Sequence, residues 1–140
     1  MSLKIRMNKL ETTIRDYFED RKEVTAVYLF GSYATGKEHD FSDIDIGIVL
    51  DENALESCAE RRENYLVGLG RILRKDIDPV ILNKANLTLL RQIFLTGKCI
   101  LVNNSKKLAL YKTEMFVSIA EFSYYRSQMQ AGLIRKIMKG

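Results

Sequence analysis

The chain has 140 residues, 46% of them hydrophobic and 29% charged, with a formal net charge of +4 at pH 7. That length suits one domain with a buried core and is short for two, and the composition excludes a disordered chain. No run of about 18 apolar residues is present, and the opening MSLKIRMNKLETT lacks the apolar stretch of a secretory signal, so no membrane span is expected and the cytoplasm is the expected compartment.

Residues 4–20 place Met7, Leu10, Ile14, Tyr17 and Phe18 at spacings of three and four, which predicts an amphipathic helix. Val24 to Phe30 is apolar on both faces and reads as a central strand. It stops at Gly31-Ser32, and Tyr33 to Lys37 follow as a short helical turn. A strand that ends in Gly-Ser and turns into a helix presents unpaired backbone N–H groups and a hydroxyl, a cradle for phosphate. The polar stretch Glu38 to Phe41 predicts a loop with His39 exposed.

The next strand carries the chemistry. Ile44, Ile46, Ile48 and Leu50 alternate with Asp43, Asp45, Gly47 and Val49, so one face is buried and the other polar at its start. Side chains at i and i+2 share a face, which puts Asp43 and Asp45 roughly 6–7 Å apart at the backbone. Two carboxylates that close repel, and one takes up a proton unless a cation lies between them. Mg²⁺ suits a sparse carboxylate site that leaves room for phosphate oxygens and water.

A third helix is expected from a cap at Asp51 or Asn53 to about Leu73, with Leu55, Ala59, Leu66, Leu69 and Leu73 inward and Arg61 and Arg62 facing solvent. Asp76 to Leu82 is the third strand, with Asp76 and Asp78 on one face. Pro79 cannot donate to a ladder and marks an edge or a strand start. Asn86 to Thr96 is a short helix ended by Gly97, and Cys99 to Val102 a fourth strand. The remainder, 105–139, repeats Leu108, Tyr111, Met115, Ile119, Phe122, Met129, Leu133 and Ile137 at helical spacing. At 1.5 Å per residue this one helix is about 52 Å long. It must overhang a core of this size or fold back near Gly132, and an overhanging apolar stripe needs a partner. Tyr124, Tyr125 and Met129 are the candidate contacts.

Two cysteines, Cys58 and Cys99, and a single histidine have no metal-ligand spacing, so two reduced and largely buried thiols are expected and a zinc site is not. From Lys106 on there are seven basic residues and two acids, a balance of +5 that leaves −1 for the rest. The basic excess therefore belongs to the last helix. It suits an acidic protein face or a nucleic acid, or it is a solvated helix face.

The stretch VYLFGSYATGKEHDFSDIDIGIVL, residues 27–50, resembles the signature of the minimal nucleotidyltransferases within the polymerase-β-like superfamily. Gly31, Ser32, Gly36, Ser42, Asp43 and Asp45 carry the resemblance. It implies an α/β (α+β) fold, a small mixed sheet flanked by helices with a long C-terminal helix. It divides the chain into a nucleotidyltransferase core, 1–104, and the C-terminal helix, 105–140, within a single domain. It also implies transfer of AMP from ATP to a hydroxyl. Asp43 and Asp45 would hold two Mg²⁺ ions, with Gly31 and Ser32 on the β- and γ-phosphates. Gly36 would let the loop approach the nucleotide, and Ser42 would orient the acidic pair. The third carboxylate carries over onto Asp78, with Asp76 competing for that role. The family's second acid on that strand is replaced by Ile81, and an arginine common in the family is replaced by Thr35, which leaves the phosphate charge to Lys37.

The small size resembles the antitoxins of HEPN–MNT toxin–antitoxin pairs, in which AMP is transferred to a tyrosine of the HEPN ribonuclease. The Arg-x4-6-His motif of HEPN toxins is absent from this chain. The implied partners are ATP and a HEPN toxin, with self-association through the C-terminal helix as a further expectation and direct nucleic-acid binding not expected. Two other readings compete. One is adenylation of a small hydroxylated molecule, as by aminoglycoside nucleotidyltransferases. The other is a non-catalytic antitoxin that acts by binding alone.

Overall fold

The structure, a computed structural model, describes the backbone of residues 3–38 and 42–139 and the side chains from Lys9 onward. His39, expected in an exposed loop, and the side chain of Met7 lie outside the described residues.

Nine elements follow in order: α1 (Leu3–Glu19), β1 (Val24–Phe30), α2 (Ser32–Thr35), β2 (Ile44–Leu50), α3 (Cys58–Leu73), β3 (Ile77–Ile81), α4 (Leu87–Thr96), β4 (Lys98–Val102) and α5 (Ser105–Lys139). The strands form one mixed sheet in the order β3-β2-β1-β4. β1 runs antiparallel to both β2 and β4, and β2 runs parallel to β3. All seven residues of β1 are buried, as a central strand requires. Pro79 sits in β3 at the sheet edge, where its missing N–H costs no ladder bond.

The period of two sorts each strand's side chains between two cores. Val27, Leu29, Ile44, Ile46, Ile48, Ile77 and Ile81 pack against α1 and α3 through Ile14, Phe18, Tyr65 and Leu69. Ile44, Ile46 and Ile48 are fully buried, each worth roughly 1.5–3 kcal/mol of transfer free energy. On the other face Ala26, Tyr28, Phe30 and Val49 meet Leu90 and Ile93 of α4 and Leu108 and Tyr111 of α5.

Four local expectations are corrected. The two thiols are not largely buried: Cys58 is partly covered and Cys99 is exposed. The third helix does not start at a side-chain cap on Asp51 or Asn53: a 3-10 turn, Glu52–Ser57, precedes α3, and the Asp51 carboxylate pairs instead with Lys107 of α5. The third strand is shorter than Asp76–Leu82, because Leu82–Lys84 turn into a 3-10 turn. Arg61 and Arg62 are only partly exposed and are held by protein groups rather than left to solvent. Arg61 bonds Ser57 and pairs with Glu23, and Arg62 is engaged at β3.

α5 is one continuous helix through Gly132. Its first turns are anchored by Leu108 and Tyr111, with Met115 and Ile119 partly covered. Beyond Ile119 every described side chain is exposed apart from the position of Gly132, including Tyr125 at 65% and Met129 at 75%. Among the described residues no helix is long and apolar enough to cross a membrane.

Candidate active site

The end of β1 and the start of β2 lie side by side, with Phe30 opposite Asp45. The next residue, Gly31, has φ 72° and ψ −150°, a combination that only glycine adopts without strain. There is a second reason for glycine. A Cβ built on Gly31 would fall on the Asp45 carboxylate. The Gly-Ser corner and the acidic strand are therefore in direct contact, although fourteen positions separate Gly31 from Asp45 in sequence.

Gly31 also nucleates α2. Its carbonyl accepts from the N–H groups of Ala34 and Thr35 and from the Thr35 hydroxyl. The N–H groups of Ser32 and Tyr33 stay outside these bonds, as donors in the first turn of a helix do. Gly36 ends the turn in the left-handed conformation, φ 72° and ψ 17°. Among the described residues no atom lies within 4 Å of its Cβ position, so backbone conformation is the requirement visible there. Thr35 and Lys37 are both exposed beside this turn. Behind it the buried Tyr33 receives a hydrogen bond from Lys75 Nζ at 3.0 Å.

Asp45 lies on the strand face opposite Ile44 and Ile46. In the parallel ladder its register partner is Asp78. The two carboxylates therefore leave adjacent strands on one face. The Asp45 carboxyl titrates above the ordinary carboxylate range: burial is the largest cause, followed by the negative charges of Asp78 and then Asp43. Asp43, Asp45 and Asp78 thus share one field. Asp76 precedes β3, and its backbone carbonyl accepts from the Ile44 N–H at 3.0 Å. Register alone separates the two candidates, since Asp78 is the residue opposite Asp45.

The donor set fits a hard cation. It consists of carboxylate oxygens, one of them destabilised as an anion by burial and by two like charges, which a bound cation would relieve. Among the described residues no three acidic, histidine or cysteine groups already close around one point. That agrees with a site in which phosphate oxygens and water complete the shell. Ser42 precedes Asp43 and is half-buried.

One residue of this site was missed from sequence. Arg62 of α3 donates from Nε to the Pro79 carbonyl at 2.7 Å and places Nη2 3.3 Å from Asp78 Oδ1. No local spacing signals it, because the contact depends on how α3 packs beside the edge strand.

Comparison with known proteins places this geometry. Residues 12–106 match the family described as Polymerase beta, Nucleotidyltransferase. The chain is 36% identical over 91 residues to protein adenylyltransferase MntA of Shewanella oneidensis, covering 65% of this chain and 61% of that protein. It thus spans about three fifths of that relative's length. A chain of a toxin–antitoxin crystal structure with AMP-PNP superposes with a TM-score of 0.65 at 27% identity, covering 91% of this chain and 98% of that one. A chain of the complex between a tri-AMPylated Shewanella oneidensis HEPN toxin and an MNT antitoxin shares the fold, with a TM-score of 0.61 at 24% identity over 94% and 98% of the two chains.

Proposed function

The chain belongs to the polymerase-β nucleotidyltransferase family, and from that premise we propose that it transfers AMP from ATP to a tyrosine hydroxyl of a HEPN toxin partner and so acts as an antitoxin. The observation that carries the reading is the register of β2: Asp45 touches the Gly31 corner on one side and faces Asp78 on the other. The name of the Shewanella oneidensis relative, protein adenylyltransferase, supports a protein acceptor. The AMP-PNP in a related toxin–antitoxin structure supports an adenine triphosphate as donor.

In this reading the Ser32 hydroxyl and the N–H groups of the α2 turn hold the β- and γ-phosphates. Asp43 and Asp45 are the metal ligands, joined by Asp78. Two bound Mg²⁺ ions would neutralise the triphosphate and the departing pyrophosphate and acidify the attacking hydroxyl. The acceptor oxygen attacks the α-phosphorus in line as the bond to the bridging oxygen of pyrophosphate breaks. Asp78 takes the hydroxyl proton. Arg62 holds Asp78 at the sheet edge.

The exposed half of α5 supports a protein acceptor over a small molecule. Phe122, Tyr125, Met129, Leu133 and Ile137 form an uncovered apolar row of the kind that marks an interaction surface. We assign that row to the toxin, and self-association uses the same row when the toxin is absent.

The test is incubation with ATP, Mg²⁺ and the product of the adjacent gene, followed by intact mass. Addition of whole AMP units to the partner, lost in Asp43→Asn, is the expected result. An unchanged mass with each of the four nucleoside triphosphates overturns the reading. Neutralisation that survives Asp43→Asn would instead establish the binding-only antitoxin.

A further inference from the structure

A groove of about 640 Å³ opens beside Asp43. Its walls are Ser42 and Asp43 at the start of β2, Lys75, Asp76 and Ile77 entering β3, and the last turns of α3 from Leu66 to Arg74. It contains neither Gly31 nor Ser32. The two flanks of the acidic face are therefore distinct. The Gly31 corner lies on the β1 side; the groove lies toward β3 under the end of α3, and Asp43 at its wall joins it to the acidic face.

Arg71 and Arg74 in this groove differ from Arg21, Arg61 and Arg62, each of which holds a protein oxygen. Among the described residues neither Arg71 nor Arg74 makes a side-chain hydrogen bond or an ion pair. Arg74 also carries a backbone oddity. It is the one non-glycine residue with positive φ among the described residues, at 52°. It caps α3 in the left-handed conformation, its N–H bonded to the Gly70 carbonyl, at a position where glycine is the usual occupant. The residue in that left-handed position is therefore a cation where the backbone favours glycine.

We infer that the Arg71–Arg74 groove is the acceptor-side subsite of this active site, and that its ligand is an acidic peptide segment whose carboxylates flank the acceptor hydroxyl. The inference rests on the transfer reading above. In-line displacement brings the attacking oxygen from the side opposite the leaving pyrophosphate. With the phosphates against Gly31 and Ser32, the acceptor enters from the β3 flank past Asp43, the one of the three acids that lines the groove. Two unpaired guanidinium groups on that path match carboxylates in their fork geometry. Nucleic acid fits less well. Among the described residues no aromatic side chain lines the groove for base stacking, and Asp43 and Asp76 in its wall repel a continuous polyanion while leaving room for single carboxylates.

The test uses the full chain and three fluorescein-labelled peptides, one tyrosine flanked by glutamates, by glutamines or by lysines. Fluorescence anisotropy should show the glutamate peptide binding roughly tenfold tighter, as expected for one or two charge-assisted contacts. The preference should vanish in Arg71→Ala/Arg74→Gly, where glycine suits the left-handed backbone and protects the fold. Arg71→Glu should reverse it toward the lysine-flanked peptide. AMP-PNP affinity with Mg²⁺ should stay unchanged in all variants. Equal affinity for the glutamate and glutamine peptides in the wild type overturns the inference. So does a loss of AMP-PNP affinity in the double variant, which would give the groove to the nucleotide. Tighter binding of a single-stranded oligonucleotide than of the glutamate peptide also overturns it. A wild type that discriminates the peptides and fails to bind AMP-PNP removes the transfer reading and leaves the acidic-peptide site standing.

Discussion

The two flanks of the acidic face are built from different materials. On the β1 side the parts are backbone: Gly31 at φ 72°, its carbonyl closing α2, and the unused N–H groups of Ser32 and Tyr33. On the β3 side they are side chains: Asp78 on an edge strand, half exposed, with Arg62 reaching it from α3. A backbone-built flank is rigid and tolerates no substitution at its corner. A side-chain-built flank is adjustable, and each of its contacts can be removed singly. Asp45 stands between the two and belongs to both.

The largest effect is therefore expected at Asp45. Asp45→Asn should lower the transfer rate roughly 10³-fold, the scale of losing a charge aimed at the reacting centre. Its effect on stability has the opposite sign. Burial, Asp78 and Asp43 raise the Asp45 pKa in the folded chain, so between the ordinary carboxylate pKa and the raised one the folded state binds more protons than the unfolded state. Stability then falls as pH rises through that window, and the deficit persists at neutral pH. Asp45→Asn should remove it, so the metal-free variant should melt a few degrees above wild type at pH 7 and match it near pH 3. A variant that melts lower at pH 7 would show that Asp45 is stabilised by its neighbours, and the shared-field description would fail.

Gly31→Ala attacks the backbone flank alone. The new methyl group meets the Asp45 carboxylate, and alanine cannot rest at φ 72°, ψ −150°. The expected cost is about 1–3 kcal/mol in stability. Displacement of the corner should cut transfer on the order of 10²-fold, with the loss seen in affinity for AMP-PNP. Unchanged melting temperature and affinity would mean that the corner is not fixed by its backbone.

The same division explains what could be read in advance. The β1 flank and the acidic pair were legible because their determinants are local: a Gly-Ser break after an apolar strand, then Asp-x-Asp at the start of an alternating one. Asp78 came only by carry-over from the family resemblance, since the strand pattern puts it and Asp76 on one face; the sheet register sets Asp78 opposite Asp45. Arg62 was not legible. Its partner lies sixteen positions away, and its aim depends on the packing of Tyr65 and Leu69 of the same helix into the core. Asp51 misled for a related reason. An acid before a helix resembles a cap, yet Lys107 from the last helix claims it. Gly132 misled nothing, because one glycine costs a helix only about 1 kcal/mol and does not force a break.

Arg62 gives the smallest effect and separates the flanks most sharply. The pair with Asp78 is half exposed on both sides, 39% and 51%, so its removal should cost under about 1 kcal/mol of stability. Its contribution is direction. Nε is fixed by the Pro79 carbonyl, so Nη2 has one place to point, and Asp78 is held against it. Arg62→Ala should therefore lower kcat roughly 3–10-fold, within what one hydrogen bond to a charged group provides. The KM for ATP should not change, because the proposed triphosphate cradle lies on the other flank. Arg62→Lys keeps the charge and loses the fork, so it should recover only part of the rate. If Arg62→Ala instead raises the KM for ATP and spares kcat, the β3 flank binds nucleotide, and the separation of donor and acceptor sides across β2 is wrong.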